Sequence, residues 1–145
     1  MTASSSSRAV AAALAAAALI LAGCGGGSSF TSKADSICKD TSAKLRAIPR
    51  PKTVAGFAGY LDKASAEAHD ARVKLGALKP PGDKAQAYTA YLAALEAQLG
   101  VFDRARVVAH AGHAREALLM LARGQASGRA VKARAKALGL KECSK

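Results

Sequence analysis

The sequence predicts an all-α protein, an antiparallel up-down-up-down four-helix bundle. Three observations carry this. Beyond its first apolar run the chain is rich in Ala, Leu, Lys and Arg, all good helix formers. Val and Ile are scattered and nowhere alternate with polar residues over a run, so strands are not expected. Breaks at Pro49-Arg50-Pro51, Lys79-Pro80-Pro81-Gly82 and Ala111-Gly112 divide the chain into four segments. Connections this short make successive helices antiparallel neighbours.

The first helix is expected from Ser32, where Ser32-Lys33-Ala34-Asp35 fits a capping box. Ala34, Ile37, Cys38, Thr41, Leu45 and Ile48 share one face, and Pro49 ends it. Thr53 caps the second helix. Its seam is Val54, Phe57, Leu61, Ala64, Ala68, Ala71, Leu75 and Leu78, at steps of three and four. Asp83 caps the third, with Gln86 in the capping-box position, and Tyr88, Tyr91, Leu92, Leu95, Leu99 and Phe102 form its stripe. The fourth begins near His113 and carries Leu118, Leu121, Val131, Ala135 and Leu138 inward. Gly139 sits where a left-handed C-cap is expected, and Leu140 is placed to fold back on the last turn.

The N-terminus is a different kind of sequence. Residues 1–8 are polar with one positive charge, and residues 9–22 are an unbroken apolar run. That run falls short of the roughly 20 residues needed to span a bilayer. It reads as a secretory signal peptide over residues 1–23. Its exit, Leu21-Ala22-Gly23-Cys24, resembles the lipobox of bacterial lipoproteins at all four positions. The resemblance implies that Cys24 is linked to diacylglycerol, the palmitate-type anchor of that family, and that the chain is cut just before it. The implied location is the extracytoplasmic face of the cell membrane. Residues 24–31, including Gly25-Gly26-Gly27-Ser28-Ser29, then form a flexible tether. Residues 32–145 form the bundle domain.

With Cys24 lipidated, Cys38 and Cys143 remain, and two Cys in an exported chain favour a disulfide. In the antiparallel arrangement the start of the first helix and the end of the fourth share one pole. The two Cys lie there, so one disulfide closes the bundle at the membrane-proximal pole. The mature part is similar to small secreted or lipid-anchored helical proteins of high-GC Gram-positive bacteria. The motifs are Ala34-Asp35-Ser36-Ile37-Cys38, Leu75-Gly76-Ala77-Leu78-Lys79-Pro80-Pro81 and Ala137-Leu138-Gly139-Leu140-Lys141-Glu142-Cys143. They mark caps, turns and a disulfide, and they imply no activity.

No set of residues points to catalysis or to a cofactor. There is no Gly-x-Ser-x-Gly, no phosphate-cradling loop and no His-Glu-x-x-His. A metal site is not expected. Gly112 breaks the helix between His110 and His113, and His69 falls roughly 22 Å from their pole at 1.5 Å per residue. With no Trp and 4% aromatic residues, the chain lacks the stacking side chains of a nucleic-acid platform. One polar irregularity invites a small ligand. Gln125 continues the stripe of Leu118 and Leu121, and Gln98 and His69 lie at a similar height, which outlines a mid-bundle crevice.

Charge gives the stronger signal. The chain carries a formal +12. Residues 104–145 hold ten Lys or Arg against two acids, whereas residues 24–103 hold eleven against eight. Arg129, Lys132 and Lys136 share a helix face. On an exported, anchored protein this excess points to anionic lipid or a phosphate-bearing wall polymer rather than nucleic acid. The expectation is therefore a non-enzymatic interaction or structural module of the cell envelope. The alternative is a small-molecule-binding or sensor lipoprotein using His69, Gln98 and Gln125.

Overall fold

The computed structural model describes residues 26–145, with side chains from Ser29 onward. The expected signal peptide over residues 1–23 and the expected lipidation site Cys24 lie outside the described residues. The described chain is all-helical: α1 (Gly26–Ala47), α2 (Ala55–Gly76), a 3-10 turn (Gly82–Lys84), α3 (Ala85–His110), α4 (Ala114–Arg123) and α5 (Gln125–Ala137). The fourth expected helix is thus present as α4 and α5, which meet at Gly124. No strand occurs among the described residues. α3 is the central element. It packs against α2, α4 and α5, while α1 packs against α2.

Three expectations about helix starts are corrected. α1 begins at Gly26, so Ser32 is interior to the helix and the capping box does not form. The tether expected over 24–31 is helical from Gly26, and Phe30 within it is buried. The cause is aromatic packing: Phe30 meets Tyr88 edge-on at 4.9 Å, which draws the preceding turn into the fold. Asp83 sits in the 3-10 turn rather than capping α3, and no side chain caps that helix. Thr53 comes nearest to its expected role: Gly56 N–H donates to its Oγ1 at 3.2 Å, but from the turn ahead of Val54, which holds the N-cap position of α2.

The helix ends follow the sequence closely. Gly112 and Gly139 have φ of 86° and 78°, the left-handed region where a side chain is strained. At Gly139 the Leu140 N–H reaches Ala135 O at 2.9 Å and Leu140 is fully buried. This is the hydrogen-bond pattern of a Schellman stop.

The core has two parts. At one end Phe30, Ala34, Leu75, Tyr88, Tyr91, Val131, Ala135, Leu138 and Leu140 cluster, with Cys38 and Cys143 packed against them. Tyr88 donates to Leu75 O at 2.7 Å, which satisfies its hydroxyl inside the cluster. Burial pushes the Tyr88 and Tyr91 phenols up to about 12. Cys38 and Cys143 are bonded, with Cα atoms 5.1 Å apart. The other end is built from Leu61, Ala105, Ala109 and Ala117.

That second cluster overturns part of the expected stripes. Val54 is 73% exposed and Leu118 53%, so neither lies in the core. Ala114 and Ala117 take the inward positions on α4. From there the inward residues step through Gly124 and Gly128 to Val131, Ala135 and Leu138. Of the residues expected inward on the fourth helix, Leu121, Val131, Ala135 and Leu138 pack against the core and Leu118 does not.

Candidate functional site

Gln125 is exposed. Gln98 instead accepts a hydrogen bond from Ser127 Oγ at 2.5 Å and lies beside Gly128. His69 turns to a different partner, Asp103, with Nε2 3.0 Å from Oδ2. The three residues expected as a ligand set therefore do not converge: Gln125 faces solvent, while Gln98 and His69 engage Ser127 and Asp103.

His69 belongs to a polar ladder between α2 and α3. Ser65 Oγ donates to Asp103 Oδ1 at 2.8 Å, and His69 meets the same carboxylate. His110 Nε2 lies 2.9 Å from both oxygens of Asp62, and Arg106 is 3.5 Å from one of them. Arg72 Nε faces Glu96 Oε2 at 3.1 Å. The His110 hydrogen bond, with help from Arg106, holds the Asp62 carboxyl below its ordinary value. Burial pushes Asp103 upward, but the Ser65 and His69 hydrogen bonds bring it below the ordinary value as well. Ser65 gives its proton to the carboxylate and not to His69. The trio therefore lacks the hydroxyl-to-imidazole contact of a nucleophilic relay and acts as a helix clasp. No group of three or more His, Cys, Asp or Glu suited to a metal occurs among the described residues.

Asp35 has a role the sequence did not signal. Its carboxylate accepts the backbone N–H of Lys141 at 3.1 Å and of Glu142 at 2.8 Å. The residue read as part of a local capping box instead holds the C-terminal turn, next to the disulfide. The signal for that contact was non-local and absent from any short window.

The basic surface is the feature that stands out. α5 contains Arg129, Lys132, Arg134 and Lys136 and no acid. All four are exposed, and none forms an ion pair among the described residues. Elsewhere some cations pair, Lys44 with Glu67 at 3.0 Å and Lys74 with Asp70 at 2.6 Å, whereas Lys33, Lys39 and Lys63 are exposed and form no ion pair among the described residues; what sets α5 apart is that it holds no acid. Three of the four α5 cations were singled out from the sequence, and Arg134 was not. At about 100° per residue it lies roughly 140° around the helix from Arg129, on the opposite flank of α5. No helix of the described residues is long and apolar enough to cross a membrane. No family model, curated protein or solved structure matches the chain.

Proposed function

We propose that this chain is a lipid-anchored, extracytoplasmic helical module with an interaction or structural role in the cell envelope. Its basic C-terminal helix contacts an anionic surface, either lipid headgroups or wall polymer. The observation that carries this reading is the outward surface of α5, four exposed cations with no acid among them. On α2 and α3, by contrast, acids stand among the bases, and Asp62, Glu67, Asp70, Glu96 and Asp103 each pair with one. A solvated surface does not require such segregation, whereas attraction to phosphate benefits from it by about 1 kcal/mol per cation near the membrane.

The anchor rests on the lipobox resemblance at Cys24 and on the disulfide, which suits an oxidising compartment. The antiparallel up-down-up-down direction is supported by the α2–α3 ladder. As the α2 number rises through Asp62, Ser65, His69 and Arg72, the α3 partners fall from His110 and Arg106 through Asp103 to Glu96. In that arrangement the disulfide end is the membrane-proximal pole.

Two measurements test the reading. Metabolic labelling with radioactive palmitate in an actinobacterial host should mark the full chain, and Cys24→Ala should lose both the label and the membrane fraction. Sedimentation with phosphatidylglycerol vesicles should fall at least about fivefold for each cation reversed among Arg129, Lys132 and Lys136, and should weaken with salt. Label retained on the Ala variant, or sedimentation indifferent to salt and to the reversals, would refute it.

A further inference from the structure

α4 is built with its large residues outside. Ala114 and Ala117 are buried, while Leu118 and Leu119 are 53% and 51% exposed. Leu118 and Leu119, with Ala114 and exposed Val54, line an open depression of about 560 Å³, rimmed by His113, Arg115 and Glu116. An apolar patch of this kind on a small domain marks a surface that something covers.

The charge around the patch identifies the occupant. Arg115 and Arg123 stand on α4, and Arg129, Lys132, Arg134 and Lys136 continue along α5. None of the six forms an ion pair among the described residues. Glu116 is the single acid on the two helices. Leu side chains at one end and Lys and Arg along the rest are the composition of a helix lying in a membrane interface. The apolar groups enter the boundary between headgroups and acyl chains, and the long basic stems reach phosphate.

We propose that the outward face of α4 and α5 docks on an anionic lipid bilayer with Leu118 and Leu119 inserted into its interface. This rests on the anionic contact of α5 proposed above and adds to it depth and posture. From Ala114 to Ala137 the two helices extend roughly 36 Å at 1.5 Å per residue. Leu118 and Lys136 meet one flat surface only when the bundle lies on its side, not when it stands on its disulfide end.

The chain has no Trp, so a single introduced indole is an unambiguous reporter. Leu118→Trp, with Leu119→Trp as a second variant, is read in the full chain on phosphatidylcholine vesicles with and without phosphatidylglycerol. Both sites are half exposed and accept the larger ring without entering the core. Expected are a blue shift of emission and quenching by brominated lipid when phosphatidylglycerol is present. Both should be lost when Arg129, Lys132 and Lys136 are changed to Glu. Val73→Trp, at an exposed site on α2, should show neither. If the chain sediments with anionic vesicles in a salt-dependent way while Leu118→Trp and Leu119→Trp both stay red and unquenched, α5 contact stands and insertion is overturned. If no dependence on phosphatidylglycerol is seen in sedimentation or emission, both readings fall. An equal blue shift from Val73→Trp overturns the assignment to this face.

Discussion

Gly124 lies where the break between α4 and α5 faces α3, and its replacement by Ala tests the register directly. Ala is favoured over Gly in a helix by about 1 kcal/mol. Here, however, a Cβ would stand 2.6 Å from Val101 Cγ1 and 3.4 Å from the Leu121 and Met120 carbonyl oxygens. A Val methyl is not the loose end of a long side chain, so a helix must shift. Overpacking of this kind costs about 1–3 kcal/mol. Gly124→Ala should therefore lose up to about 2 kcal/mol net. Val101→Ala alone should lose about 1 kcal/mol for two half-buried methyls. With Ala at 101 the obstruction is gone, and Gly124→Ala should become stabilising by about 1 kcal/mol. The cycle predicts a coupling of about 2 kcal/mol, well beyond the scatter of about 0.5 kcal/mol between independent sites. Gly128→Ala is the internal control. Its nearest neighbour is Gln98 Oε1 at 3.5 Å, an ordinary contact, so the substitution should be stabilising in either background. The assay is urea unfolding at constant m. If Gly124→Ala stabilises equally with Val or Ala at 101, the register between α3 and the α4–α5 junction is refuted.

The Cys38–Cys143 bond closes a separation of 105 residues, for which the chain-entropy relation gives about 4.7 kcal/mol. Replacing both Cys with Ala should lower stability by an amount of this order and raise m, as urea titration followed by circular dichroism will show. Asp35→Ala removes the acceptor of two backbone N–H groups at the C-terminal turn and should cost about 1–2 kcal/mol. Hydrogen exchange at Lys141 and Glu142 should then rise with exchange elsewhere little changed. The Asp62 and Asp103 carboxyls are both held below 3.8 in the folded chain. The unfolded chain therefore binds protons first as pH falls, so stability present above pH 3.8 declines as pH drops through the folded values. Thermal unfolding across this range should show the decline, and Asp62→Asn with Asp103→Asn should flatten it.

Much of the architecture was legible because it is written in short-range chemistry. Proline and glycine positions define where helices stop, and Gly112 and Gly139 adopt the left-handed backbone that their places after a helix require. The Cys38–Cys143 pairing followed from the count of cysteines and from two ends meeting at one pole. What was not legible depends on partners far along the chain. Asp35 looks like half of a local capping box until Lys141 and Glu142 are brought to it. Ser65 on α2 gave no reason to expect the Asp103 carboxylate.

The reading of α4 failed for a reason that bears on its role. Helical period alone offers two faces in Ala114-Arg115-Glu116-Ala117-Leu118-Leu119, and hydrophobicity selects the Leu face as the inner one. Volume decides otherwise. The opposing wall of α3 is Ala105 and Ala109, and two Ala-lined helices approach more closely than Leu would allow. Ala114 and Ala117 fit that gap, and Leu118 and Leu119 are turned out. Close packing by small residues and an exposed apolar patch are thus two sides of one choice. The inward line continues on α5 through Val131 and Ala135, as their spacing predicts, and leaves Arg129, Lys132, Arg134 and Lys136 outside. A substitution that enlarges Ala117 would therefore disturb the outer surface as well as the core. With Ala117→Leu, α4 should rotate or part from α3, and the Leu118→Trp reporter should lose its blue shift on anionic vesicles even with every α5 cation in place. If Ala117→Leu leaves that signal intact, the link between inner packing and outer face is wrong.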